Sequence, residues 1–347
     1  MAVKSREEQF ITLFPTEKTF RWKQIETAMF DMAVNGWDDI STLGKPMREI
    51  LKANIPWMSI TSESVYTSKR EDTFKAIILS EDNKRFETVL MANKKGQWTI
   101  CVSSQIGCAM KCTFCATGTM GLKRSLLADE IIDQYRFWKQ FLKTKPELPQ
   151  RISNVVFMGM GEPMANYENV KKTIHAWLAY TDMGPTKITV SSVGILTQLE
   201  KVLIDPDWPH VRIAISLHSA NQIKREEIVP TTVPEFLDKL ADWSRRYAEI
   251  LGNRKHHITY EYVLLSGINE TPELAHELGK YIATTGFSKI NVIPYNPVGG
   301  KPFERSAQER IDKFKNILIS YGVTVTQRKT MGDDIAAACG QLVTEKK

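Results

Sequence analysis

From residue 99 to residue 328 the chain alternates between two hydrophobic periods, and no other feature of the sequence constrains the fold as strongly. Short apolar runs at 99–104, 152–158, 187–193, 211–217, 258–265 and 289–294 read as strands. Each is followed by a longer stretch of helical period, at 127–141, 167–180, 195–204, 234–251, 271–284 and 306–321, and a last strand is expected at 323–328. Parallel strands need crossover connections, and right-handed crossovers put every helix on the same side of the sheet. Six β-α units in a row therefore predict an α/β fold, an open, partial (β/α)6 TIM-like barrel with its functional side chains at the C-terminal strand ends.

The first hundred residues follow another pattern. Apolar positions at Phe20, Ile25, Met29 and Phe30 predict a helix over 18–33, and a second begins at 46–51. From 64 to 91 the pattern turns to alternation around Glu81-Asp82-Asn83, which reads as a β-hairpin. The expected organisation is a helical accessory domain at 1–60, a hairpin linker at 61–97 and the barrel at 98–342. A composition with 42% hydrophobic and 25% charged residues excludes a disordered or fibrous chain. No apolar run reaches the roughly 18 residues of a spanning helix, and the charged start of the chain lacks a signal-type stretch. A cytoplasmic location without membrane contact is expected. A net charge of +6 is compatible with a polyanionic partner without demanding one.

Five cysteines, three of them between Cys108 and Cys115, do not form a disulfide framework; in a reducing compartment such a cluster reads as chemistry. Cys108, Cys112 and Cys115 have the spacing CxxxCxxC on a loop leaving the first barrel strand, with Gly107 and Gly118 giving the backbone room to wrap. Three thiolates can hold a cubane iron-sulfur cluster while one iron stays open. The alternative is a structural zinc completed by a distant residue such as His218, although the spacing departs from the usual paired C-x2-C.

The CxxxCxxC motif resembles that of the radical S-adenosylmethionine superfamily, which implies a 4Fe-4S cluster whose open iron chelates the methionine part of S-adenosylmethionine. There, electron transfer into the sulfonium yields a deoxyadenosyl radical, and the protein orients the cofactor. Further cofactor contacts are then expected at later strand ends: Gly161 and Glu162 in the turn Gly159-Met160-Gly161-Glu162-Pro163, Ser191, the run Ser216-Leu217-His218, and Asn296. Gly-Asp-Asp-Ile-Ala-Ala-Ala-Cys339-Gly-Gln-Leu, together with Cys101, the glycine-rich turn and Ile290-Asn-Val-Ile-Pro-Tyr-Asn-Pro, closely resembles the RlmN and Cfr family of RNA adenine methyltransferases over essentially the whole chain.

Carbon 2 of adenine lies between two ring nitrogens and is too electron-poor to attack a sulfonium methyl group, which is why such a reaction needs a radical. The resemblance implies that Cys339 takes a methyl group from one S-adenosylmethionine and that a second is cleaved, two per turnover. It further implies a transient protein–RNA adduct that Cys101 resolves through a disulfide with Cys339, and it makes Glu87 the base for the ring proton. Implied partners are 23S ribosomal RNA at the peptidyl transferase centre, certain transfer RNAs next to the anticodon, and a flavodoxin or ferredoxin type reductant, with the enzyme a monomer. One family branch methylates carbon 2; the antibiotic-resistance branch methylates carbon 8 and tends to carry Ala where this chain has Pro163, which favours carbon 2. Ser125, where the family more often has Asn, has no explanation in the sequence. Basic pairs at 69–70, 94–95, 123–124, 171–172, 245–246 and 254–255 are candidate phosphate contacts.

Overall fold

The computed structural model describes residues 3–93, 95–251, 258–286 and 288–343. Lys94 and the basic pair 254–255 lie outside the described residues. The strands are β1 (Ile60–Thr67), β2 (Thr73–Ser80), β3 (Arg85–Ala92), β4 (Trp98–Cys101), β5 (Gln105–Gly107), β6 (Leu122–Ser125), β7 (Ile152–Phe157), β8 (Ile188–Ser192), β9 (Arg212–Ser216), β10 (Ile258–Leu264), β11 (Ser288–Pro294) and β12 (Thr324–Gln327). The helices are α1 (Arg6–Leu13), α2 (Thr19–Phe30), α3 (Lys45–Asn54), α4 (Ala116–Thr119), α5 (Ala128–Lys143), α6 (Tyr167–Tyr180), α7 (Leu196–Ile204), α8 (Gln222–Ile228), α9 (Phe236–Ile250), α10 (Pro272–Ala283) and α11 (Gln308–Ser320).

Local signals set the helix starts. Glu130 reaches back to the Leu127 N–H at 2.8 Å at the head of α5, and Thr271 caps α10 ahead of Pro272. Strands β4, β7, β8, β9, β10, β11 and β12 pair in parallel and in sequence order, as the six expected β-α units require. Because the sheet is open, its C-terminal strand ends surround a cavity instead of a filled barrel axis.

The expected hairpin is β2 with β3, but it does not stand apart as a linker. A third strand, β1, precedes it, and β3 pairs antiparallel with β4, with Val89 opposite Cys101. The barrel sheet thus runs through ten of the twelve strands, with β5 and β6 forming a separate pair. Ile60, Phe74, Ile78 and Phe86 belong to the same apolar core as Trp138, Val155 and Ile213. Pairing β3 with β4 satisfies a row of backbone groups that a separate hairpin would leave at an open edge.

The N-terminal helices close a second core around Phe10, Trp22, Ile25, Met29, Trp37 and Leu51. They are fastened to α5 by buried charges: Arg6, 1% exposed, pairs with Asp133 at 3.0 Å, and Asp133 also accepts from Arg136 at 2.5 Å and from the Ser59 N–H at 2.7 Å. Burial alone would push Asp133 up, yet Arg6, Arg136 and Ser59 hold it below the ordinary carboxylate range. Among the described residues no helix is long and apolar enough to cross a membrane.

Candidate active site

The cysteine loop is closed at its base by an antiparallel clip of β5 and β6. Gly107 makes the clip possible: its φ is +75°, and a Cβ there would lie 1.8 Å from the carbonyl oxygen of Gly121. The Cys108 N–H donates to that same oxygen at 3.2 Å, and Ala116, after Cys115, donates to the Gly340 carbonyl at 2.8 Å. The loop is therefore tied to the C-terminal segment as well as to the sheet.

Cys108, Cys112 and Cys115 line one cavity at the strand ends, together with Gly161, Glu162, Ser191, Ser216, His218, Glu261, Arg328 and Cys339. Burial pushes the Cys108 thiol up to about 12 and raises Cys112 as well; metal ligation would deprotonate both. Among the described residues no three His, Cys, Asp or Glu side chains converge as a single ion requires. His218 does not complete a zinc site: the Val263 N–H donates to its Nδ1 at 3.1 Å, burial pushes it down to about 3 so that it is neutral, and the other ring nitrogen then carries the proton. Three thiols lining one cavity together with carboxylates, hydroxyls, a guanidinium and apolar side chains fit a three-cysteine iron-sulfur cluster and a zwitterionic cofactor.

The expected cofactor residues divide into two groups. Gly161, Glu162, Ser191, Ser216 and His218 line the cavity. Glu162 is buried and already accepts from the Met164 N–H at 2.9 Å and the Val193 N–H at 2.8 Å, tying the glycine-rich turn to the end of β8; burial pushes it up to about 6. Gly161, at φ +98°, is required there because a Cβ would sit 2.5 Å from that of Gln105. Leu217 instead points into the barrel core. Asn296 lies outside this cavity and lines a second one beyond it, with Met91, Cys101, Met158, Thr330 and Cys339.

Cys339 is the cysteine common to the two cavities. It is exposed to them, yet walled in closely enough that burial raises its thiol, with Cys115 and Glu261 adding to the shift and Arg328 opposing it. Cys101 is buried at the end of β4; burial raises it to about 12, Cys339 adding and Arg328 opposing. All five cysteines are unpaired. Glu87, on β3, lines neither cavity: it is fully buried, 3.1 Å from Lys75, and accepts from the Val343 N–H at 2.9 Å.

Two residues escaped the sequence reading. Arg328, which follows β12, lines both cavities and pairs with Glu261 at 3.4 Å; the rule that strand C-termini carry the site points to it. Arg225, 1% exposed, donates to the carbonyls of Val193 and Leu217 and lies over the Phe236 ring, binding the ends of β8 and β9 to α8. Members of three basic pairs are committed to ion pairs: Arg124 to Asp82 and Glu130, Lys171 and Lys172 to Asp205 and Glu7, and Arg246 to Glu200 and Asp242.

An open parallel barrel with a three-cysteine loop after its first parallel strand defines a radical S-adenosylmethionine enzyme, and residues 102–278 match the family model for the radical SAM superfamily. The chain is 38% identical over 331 residues, 94% of its length and 92% of the relative's, to the probable dual-specificity RNA methyltransferase RlmN of Aquifex aeolicus. It also superimposes on a radical SAM methyltransferase from Sphaerobacter thermophilus with a TM-score of 0.88 at 33% identity, covering 99% of this chain and 98% of that one. The chain belongs to the RlmN family of radical SAM RNA methyltransferases.

Proposed function

We propose that the enzyme methylates carbon 2 of an adenine in 23S ribosomal RNA and in transfer RNA, through an S-methylated Cys339. The observation that carries this reading is the position of Cys339 on the wall shared by the cavity of Cys108, Cys112 and Cys115 and the cavity of Cys101. A thiol there can reach a cofactor on one side and a flipped-out base on the other.

A 4Fe-4S cluster on Cys108, Cys112 and Cys115 would supply one-electron cleavage of the S-adenosylmethionine carbon–sulfur bond. The protein's own residues do the rest. Cys339 acts as nucleophile toward the sulfonium methyl group of a first S-adenosylmethionine, releasing S-adenosylhomocysteine and giving its thiol proton to solvent. Ser191, Ser216 and His218 line the wall against which the cofactor sits, and Asn296 fixes the Cys339 segment. Joining the carried carbon to the base costs that carbon one hydrogen atom, which the radical supplied by cofactor cleavage would take. It costs the ring one electron, which would return to the cluster, and one proton, which Glu87 takes. Cys101, losing its thiol proton, then attacks the Cys339 sulfur, the sulfur–carbon bond breaks, and the carbon takes a proton to become the methyl group. The disulfide left behind is reduced by two electrons from the donor. Two S-adenosylmethionine molecules per turnover, a flavodoxin or ferredoxin type electron donor, a monomeric state and a cytoplasmic location complete the reading.

Pro163 in the glycine-rich turn supports carbon 2 over carbon 8. The test is anaerobic reconstitution followed by nucleoside mass spectrometry of treated RNA. 2-Methyladenosine is expected; 8-methyladenosine, or no methylated adenosine from an iron-loaded enzyme that cleaves S-adenosylmethionine, overturns the assignment.

A further inference from the structure

A lysine ammonium is rarely buried without a partner, because removing it from water costs several kcal/mol that only close, well-placed partners offset. Lys75 is 7% exposed in the middle of β2. In the β2–β3 register it stands opposite Val89, so Glu87 is its diagonal neighbour on the same face. Its Nζ lies 3.1 Å from Glu87 Oε1, donates to the Ala336 carbonyl oxygen at 3.2 Å, and sits 5.7 Å from the Tyr66 ring centroid. The other carboxylate oxygen, Oε2, accepts the Val343 N–H. Lys75 and Glu87 thus hold the two ends of the segment 336–343, with Cys339 between them.

We propose that Lys75 is a positioning residue for the reaction: it keeps the Glu87 carboxylate charged and aimed, and couples it to the segment that carries Cys339. The inference rests on the reading of Glu87 as the base. Glu87 is fully buried and lines neither cavity, so meeting the substrate requires the segment that ends at Val343 to shift, which takes the Val343 amide away from Oε2. Lys75 is then the partner that still fixes the carboxylate, since its contact is to the opposite oxygen. Among the described residues the charged side chain facing Glu87 is Lys75; the neighbouring polar contacts are the Val343 N–H and the Ser103 hydroxyl, which donates to the Glu87 carbonyl at 2.5 Å. Burial pushes Glu87 up to about 7, and Lys75 is the main influence pulling it down. Without that cation the carboxyl would titrate higher still.

The experiment is an infrared titration of the Glu87 carboxyl stretch in the cluster-loaded enzyme, the band being assigned by its loss in E87Q. In K75M the midpoint should rise by about one pH unit or more, tenfold in the protonation equilibrium, while K75R keeps the wild-type midpoint. K75Q, which preserves a donor for the Ala336 carbonyl but not the charge, should shift as K75M does and serves if K75M does not fold. An unchanged midpoint in the neutral variants overturns the proposal. Turnover of E87Q tests the underlying reading separately: wild-type RNA release by E87Q removes Glu87 as base whatever the titration shows, whereas a blocked E87Q with unshifted Lys75 variants sinks only the role of Lys75.

Discussion

Asn296 holds Cys339 in place: its Nδ2 donates to the cysteine carbonyl oxygen at 3.1 Å, while its Oδ1 accepts from Thr330 Oγ1 at 3.0 Å. A residue expected to touch the cofactor thus also orders the backbone of Cys339. Asn296→Ala removes both bonds, and the one to the Cys339 carbonyl is worth about 1 kcal/mol. Methylation of Cys339, followed as the mass of its tryptic peptide, should slow by roughly 5-fold. A direct cofactor role predicts weaker S-adenosylmethionine binding with no change in the intrinsic rate, and that pattern would refute the positioning account.

Cys101 is buried beside the cavity that Cys339 faces. Cys101→Ala should therefore accumulate RNA covalently joined to the enzyme, visible as a slow band on a denaturing gel that nuclease collapses. Cys339→Ala should give neither the band nor methylated RNA. Clean turnover by the Cys101 variant rules out its resolving role.

The raised Glu87 sets a direction for the pH dependence. The group is a base only when ionised, and burial places its titration at about 7. The rate of RNA release should be flat above that value and fall about tenfold per pH unit below it. Single-turnover rates between pH 5.5 and 8.5 check this; a limb that persists unchanged in Glu87→Gln belongs to another group.

Gly107→Ala should cost the enzyme its cluster. The added methyl collides with the Gly121 carbonyl and also demands a left-handed backbone of a residue that disfavours it. The expected result is loss of bound iron and of brown colour after anaerobic reconstitution. The barrel should still melt cooperatively, because the clip of β5 and β6 lies outside the main sheet. A fully loaded Gly107→Ala enzyme contradicts this.

Arg6→Met removes a buried cation from Asp133 and Asp129 and should destabilise the protein by about 3–5 kcal/mol, as breaking one side of a buried pair does. Urea denaturation measures this directly. A loss below about 1 kcal/mol would mean that Arg136 and Ser59 satisfy Asp133 by themselves.

Much of the barrel was legible because two local periods alternate in it. Strand segments such as 152–158 and 187–193 came out as β7 (Ile152–Phe157) and β8 (Ile188–Ser192), and α6 matched its expected range. The hairpin was legible only as a local pattern. Whether its outer edge is solvent or another strand depends on β4, whose register with β3 joins residues that no local period relates. Asn296 and Leu217 show what a strand-end position leaves open: it fixes the end of the barrel but not the direction of the side chain, and Asn296 lines the second cavity while the Leu217 side chain packs in the core. The basic pairs carried the weakest information, since a lysine or arginine in sequence gives no sign of the Asp205 or Glu200 that neutralises it.

The sequence by itself determined the chemistry and the scaffold: thiols spaced for a cubane, glycines where the backbone must turn, and a β-α rhythm that places loops on one side of a parallel sheet. These are properties of neighbours along the chain. Only the tertiary structure decided how distant groups share one space. It brought Cys339 to the wall between two cavities, and it set Lys75 and Glu87 at the two ends of its segment. It also placed Arg328 beside both Cys101 and Cys339, because the charge and reach of a side chain depend on what the packed fold puts across from it.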